Sequence, residues 1–112
     1  MPDQPAPLNR VFQALADPTR RAVLERLSRG PASVSELAQP FRMALPSFSQ
    51  HLEVLERCGL VLSRKRGRVR TYQLAPEPLE AAEQWLVAQR EQWERRLDQL
   101  DDYLKTMKEQ KP

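Results

Sequence analysis

Apolar residues recur along this chain with two different periods, and the change falls at Gly59. From Ala44 to Leu62 the sequence reads A-L-P-S-F-S-Q-H-L-E-V-L-E-R-C-G-L-V-L. Phe48, Leu52 and Leu55 fall at i, i+4 and i+7, which puts them on one buried face of a helix. The opposite face carries Ser47, Ser49, Gln50, Glu53 and Arg57. Pro46 suits the first turn, where a missing N–H costs nothing, and Gly59 suits the left-handed residue that ends a helix. The exposed face offers short polar side chains near its N-terminus and no acid before Glu53. Such a face can enter a major groove and present donors and acceptors to base edges.

Three shorter helices precede it. Pro7–Ala16 places Leu8, Val11, Phe12 and Leu15 on one stripe. Asp17-Pro18 reads as an N-cap followed by proline at the first helical position, opening a helix from Pro18 to Arg29 with Ala22, Val23 and Leu27 inward and Gly30 as its stop. Ser33-Val34-Ser35-Glu36 has capping-box spacing, so a third helix starts there and carries Leu37 and Ala38 until Pro40 cuts it off. Phe41-Arg42-Met43 then makes the corner into the 46–58 helix. Two short helices joined by a tight turn, the second exposing small polar groups, form a helix-turn-helix pattern.

After Gly59 the period shortens. Leu60–Ser63 and Val69–Leu74 are β-prone runs separated by Arg64-Lys65-Arg66-Gly67-Arg68, with Gly67 supplying the positive φ of a hairpin turn. Residues 57–70 hold six basic side chains and no acid. A basic two-stranded arm directly after a helix-turn-helix is a wing, and Arg64, Lys65, Arg66, Arg68 and Arg70 are placed to meet phosphate or an adjacent minor groove.

Pro76 and Pro78 close the hairpin, and one long helix is predicted to about Lys108. Leu79, Leu86, Trp93, Leu100 and Met107 recur every seven residues, and Leu97 and Leu104 sit four beyond two of them. This is a heptad-like stripe. A helix of about 30 residues is about 45 Å long, more than a small body can cover. Its surplus apolar face is expected to meet a second copy of the chain. Leu86, Trp93, Leu97, Leu100 and Leu104 form that seam, with Leu8, Val11 and Phe12 of the first helix beside them.

Composition narrows the reading. The 112 residues are 40% hydrophobic and 29% charged, enough for one domain with a small core that gains from burial against a partner. The fold class is mainly α with a small β-hairpin, a DNA-binding body over 8–76 and a dimerisation helix over 77–108. The net charge of +3 is uneven: residues 1–76 hold twelve Lys/Arg against six Asp/Glu, residues 77–112 six against nine. A basic body and an acidic tail suggest that only the body meets phosphate. The Met1–Pro7 stretch has neither the charged nor the apolar region of a leader, and no run approaches a membrane span. With a single cysteine and no internal disulfide, the chain is expected to be cytoplasmic.

The blocks L-A-D-P-T-R-R-A-V-L-E-R-L (15–27), S-E-L-A (35–38), L-P-S-F-S-Q-H-L-E-V-L-E-R-C-G-L-V (45–61) and R-G-R-V-R-T-Y-Q-L (66–74) together resemble the ArsR/SmtB family of bacterial winged-helix repressors. The resemblance covers roughly residues 8–76. It implies a homodimer that binds an inverted-repeat operator near its own promoter until an inducer releases it. It also implies that residues 46–58 are the recognition helix, with Ser47, Ser49, Gln50 and His51 where members of the family touch DNA. Two copies would set recognition helices about 34 Å apart.

The sequence departs from the family in two places. Members that sense metals carry cysteines before the recognition helix or a His/Asp/Glu set in the C-terminal helix. Here residues 32–37 hold no thiol, the C-terminal helix has no histidine, and His51 is the only one in the chain. No metal site and no cofactor are expected. Ala44 stands where such helices usually begin with serine, a lost cap of about 1 kcal/mol.

Several residues carry two readings. His51 is either a DNA contact or a residue packed where the recognition helix meets the wing. Cys58 is either a small buried hydrophobe or, activated by neighbouring cations, the thiol of a metal- or redox-responsive sensor. Trp85 and Trp93 fill an interface or line a pocket at it. No phosphate-cradling glycine loop or nucleophile–His–acid arrangement appears, and the carboxylates of the last helix interleave with Arg90, Arg95, Arg96 and Lys105 as a solvated face, so catalysis is not expected. A winged helix serving only protein interaction is the remaining alternative.

Overall fold

The computed structural model describes residues 6–110, with side chains from Pro7 onward. The polar opening at residues 1–5, part of the stretch read as lacking a leader, lies outside the described residues. In chain order the elements are α1 (Ala6–Leu15), α2 (Pro18–Leu27), β1 (Ala32–Ser33), α3 (Val34–Ala38), α4 (Leu45–Arg57), β2 (Val61–Arg66), β3 (Val69–Leu74) and α5 (Glu77–Glu109). The protein is mostly helical with one three-stranded antiparallel sheet in the order β1-β3-β2. Contacts divide the chain into a unit ending at Ala82 and a second beginning at Glu83.

Local signals set most of the boundaries. Asp17 caps α2, its Oδ2 accepting the backbone N–H of Arg20 at 3.1 Å. Ser33 and Glu36 form the reciprocal capping box at α3, with bonds of 3.2 and 2.8 Å. At the end of α4 the N–H of Gly59 reaches the carbonyl of Glu56 and that of Leu60 reaches Leu55, both at 3.0 Å. With Gly59 at φ +76° and Leu55 and Leu60 fully buried, this is a complete Schellman stop. It turns the chain directly from α4 into β2. α2 stops at Leu27, two residues short of its predicted end, its last turn tightening as the N–H groups of Arg29 and Gly30 bond the carbonyls of Arg26 and Leu27, three residues back.

The first unit buries Val11, Ala14, Val23, Leu24, Leu27, Ala32, Leu37, Phe48, Leu52, Leu55, Leu60, Val61, Tyr72 and Ala82 together. Leu24 is buried where Ala22 was predicted, and Ala22 is half-exposed. Val11 corrects a second expectation. At 2% exposure it belongs to the subunit's own core, leaving no surface for a partner chain, whereas Leu8 and Phe12 only edge that core.

The second unit is helical from Glu83 to the end of α5. Leu86, Trp93, Leu97, Leu100, Leu104 and Met107 are all about half exposed or more, Trp93 reaching 65%. A stripe of that length is costly in water and normally marks an interface. No helix among the described residues is long and apolar enough to cross a membrane.

Candidate nucleic-acid interface

α4 packs its apolar face inward through Phe48, Leu52 and Leu55 and leaves Pro46, Ser47 and Gln50 exposed, with Ser49 half-exposed beside them. Its N-terminus is uncapped. Ala44 adopts the extended N-cap conformation but has no side chain to accept a first-turn N–H. The N–H groups of Leu45 and Ser47 in that turn therefore have no capping side chain, Pro46 between them has no N–H, and the positive end of the helix dipole lies behind them.

His51 lies on a different side of α4. Its Nδ1 is 3.3 Å from Nη1 of Arg20 and 3.7 Å from Oδ2 of Asp17, and its side chain is 23% exposed. The ring thus packs at the α1–α2 corner, not where α4 meets the wing. Arg20 is itself fixed, because Nε donates to the carbonyl of Ala14 at 2.8 Å and Nη2 to that of Gln13 at 3.0 Å. With Arg21 donating to Leu15, two successive arginines of α2 satisfy the last carbonyls of α1, which has no basic residue of its own there. Burial pushes the Asp17 carboxyl up, but the Arg20 backbone bond and the charges of His51 and Arg20 outweigh it and hold it below its ordinary range. Asp17, Arg20 and His51 form one network locating α4 against α2. In the sequence Asp17 is legible as a cap, and Arg20 carries no signal of its own. Neither residue carries a local sign of a contact thirty positions away.

The wing is longer and tighter than the sequence suggests. β2 and β3 pair from Val61–Leu74 to Arg66–Val69 and leave a two-residue turn, Gly67-Arg68. Gly67 has φ +60° and Arg68 a negative φ, the combination of a II′ turn, whose twist suits a hairpin. β1 adds a short third strand, Ala32 facing Tyr72 and Ser33 facing Thr71.

Strand alternation sorts the basic residues. Leu62, Arg64, Arg66, Val69, Thr71 and Gln73 stand on the outer face, where a groove of about 460 Å3 runs between Leu62, Arg64, Arg66 and Gln73. Lys65 and Arg70 face each other on the other side, in line with the core residues Val61 and Tyr72. Arg70 donates to Oγ of Ser63 at 2.8 Å, and Ser63 donates to Oε2 of Glu56 on α4, also at 2.8 Å. The predicted arginine set is therefore split. Among the described residues no side-chain hydrogen bond or ion pair holds Arg64, Lys65, Arg66 or Arg68, whereas Arg70 is tied back to the C-terminal turn of α4. Lys65 opposite Arg70 is a like-charge pair, unfavourable across a ladder unless an anion lies nearby.

Elsewhere the chemistry is sparse. Among the described residues no three His, Cys, Asp or Glu side chains gather as a metal site. Cys58 is half-exposed rather than buried, its thiol donating to the carbonyl of Arg10 at 3.4 Å.

A helix pair whose second member exposes small polar groups, followed at once by a two-stranded wing of unpaired cations, defines a winged helix-turn-helix regulator. Comparison with known proteins agrees. A family model described as a helix-turn-helix domain matches residues 15–64. The chain is 51% identical over 73 residues to the HTH-type transcriptional regulator Rv2034 of Mycobacterium tuberculosis, covering 65% of this chain and 68% of that protein. It is 31% identical over 80 residues to the transcriptional repressor SdpR of Bacillus subtilis, covering 71% and 89%. The crystal structure of the ArsR family transcriptional regulator RHA00566 superposes with a TM-score of 0.78 at 61% identity, over 84% of this chain and 97% of the other. The chain belongs to the ArsR family of transcriptional regulators.

Proposed function

We propose that the protein is a homodimeric repressor that binds an inverted-repeat operator in double-stranded DNA and acts in the cytoplasm, where that DNA lies. One observation carries the reading. The unpaired cations Arg64, Lys65, Arg66 and Arg68 stand on the wing that follows α4 directly through the Gly59 stop, and α4 itself exposes Pro46, Ser47 and Gln50 with Ser49 half-exposed beside them. The helix offers donors and acceptors that distinguish base pairs, and the wing offers charges that neutralise phosphate without reading sequence. The uncapped first turn of α4 adds backbone amides suited to a phosphate oxygen. His51 and Arg70 serve by holding α4 and the wing in place.

The dimer follows from α5. Leu86, Trp93, Leu97, Leu100 and Leu104 form an apolar stripe that a second copy of the same helix would cover, and a two-fold pair would place two recognition helices one helical turn of DNA apart. Leu8 and Phe12, at the edge of the first unit's core, remain candidates for contact with the second copy, and the buried Val11 does not.

Fluorescence anisotropy on DNA from upstream of the protein's own gene, against random duplex at several salt concentrations, tests the reading. Tighter binding to the upstream DNA with a steep salt slope is expected. Equal, weak binding to both duplexes would refute the operator and leave a fold used for protein contacts.

A further inference from the structure

A second concentration of positive charge lies where α1, α2 and the C-terminal half of α4 meet. A cleft of about 350 Å3 is lined there by Arg10, Gln13, Arg20, Val54, Arg57 and Cys58, with no carboxylate among them. Its three guanidiniums differ in how they are held. Arg20 is fixed by the carbonyls of Ala14 and Gln13, which orient it without neutralising it. Asp17 offsets part of its charge from the far side, beside His51. Arg57 pairs with Glu53 at 4.0 Å, but both ends are more than two-thirds exposed, and such a pair is worth little and is easily exchanged. The guanidinium of Arg10 has no hydrogen-bond or ion-pair partner among the described residues. The thiol of Cys58, bonded to the Arg10 carbonyl, closes the cleft between α1 and the end of α4.

We propose that this cleft binds a small, multiply charged anion of the phosphate-ester or polycarboxylate class and through it adjusts the recognition helix. Guanidinium forks match carboxylate and phosphate oxygens in bidentate geometry, and a fixed fork loses little freedom on binding. The volume is at the small end of ligand sites, which run from about 300 Å3, so the occupant is a compact molecule rather than a large cofactor. Gln13 supplies a neutral donor, and Val54 one apolar wall. The route to DNA is short. Arg20 touches His51 at 3.3 Å, and His51 adjoins Gln50 on α4. An anion that draws on Arg20 alters the hold on α4 one residue from the base-reading face. This regulatory half rests on the proposed role of α4 in DNA binding, while the site itself does not.

Calorimetry on the DNA-free full-length protein with sodium tripolyphosphate and with citrate separates the two. Saturable binding of at least one probe, one per chain, is expected. The double variant Arg10→Ala/Arg57→Ala, which leaves the structural Arg20 intact, should weaken it at least about 10-fold. Arg64→Ala/Arg66→Ala on the wing should leave it within about 2-fold. No saturable binding, binding that survives the cleft variant, or binding lost only with the wing would each overturn the site. Duplex phosphate is the other source of the same chemistry. In chloride buffer free of phosphate and polycarboxylate the cleft variant should keep the wild-type salt slope on DNA, and a slope reduced by about two would make these arginines DNA contacts instead. Finally, at matched ionic strength the bound probe should shift operator affinity at least about 5-fold in the wild type and not in the cleft variant. An equal shift in both would overturn the regulatory half alone.

Discussion

Arg70 and Arg66 stand on opposite faces of the wing. Arg66 pairs with Val69 on the outer face, while Arg70 pairs with Lys65 and turns its guanidinium onto Ser63, which in turn holds Glu56 of α4. A cation with a 2.8 Å bond inside the protein is not equivalent to one in open water. The salt dependence of DNA binding should separate them. Arg66→Ala and Arg68→Ala should each lower the slope of log K against log salt by about 0.9, one phosphate apiece. Arg70→Ala should weaken binding through wing placement and leave the slope nearly unchanged. A full unit lost with Arg70 would return it to the phosphate contacts.

Base reading should be local to α4. Gln50→Ala is expected to relax preference at one operator position at a cost of about 1–3 kcal/mol there, with little change on random duplex. Equal losses on both duplexes would remove Gln50 from the reading set.

The stripe on α5 should be required for assembly. Trp93→Glu with Leu97→Gln puts polar groups at positions 65% and 56% exposed in the isolated chain, so neither disturbs the subunit's own core. Light scattering should report a monomer that retains its helical circular dichroism. An unchanged dimer would refute this seam.

The Asp17–Arg20–His51 network predicts a pH response. The Asp17 carboxyl is held below its ordinary range when folded, so its contribution is present at neutral pH and is lost as pH falls through the carboxylate range, about 4 and below. Asp17→Asn keeps a capping side chain and removes the charge. Its Tm should lie below wild type at pH 7, and the difference should shrink by pH 3. A constant difference across that range would show that the charge is not the cause.

The stop after α4 depends on one backbone conformation. Gly59 sits at φ +76°, and an added Cβ would meet only Pro78 Cγ at an ordinary 3.5 Å. Gly59→Ala should therefore cost about 1–2 kcal/mol from the left-handed backbone alone, measured by chemical denaturation.

The sequence by itself determined what depends on near neighbours. The apolar face of α4, the stop at Gly59, the capping box at Ser33 and Glu36, the Asp17 cap and the long stripe of α5 are all written within a few residues, because helices and caps are built from contacts three to seven positions apart. The basic wing was legible for the same reason, and its two faces were legible in principle, since residues 64 and 66 share a parity that the pairing of 65 with 70 denies to Arg70. Tertiary structure alone decided the rest. β1 is two residues long and exists only because Tyr72 and Thr71 supply its partners. Val11 shares the stripe of Leu8 and Phe12, yet the fold closes over it and leaves them at the edge. His51 turns to Asp17 and Arg20, more than thirty positions back, because packing α4 on α2 brings them together. Contacts so distant in sequence leave no period or spacing to read, and only the closed core fixes which side chains meet.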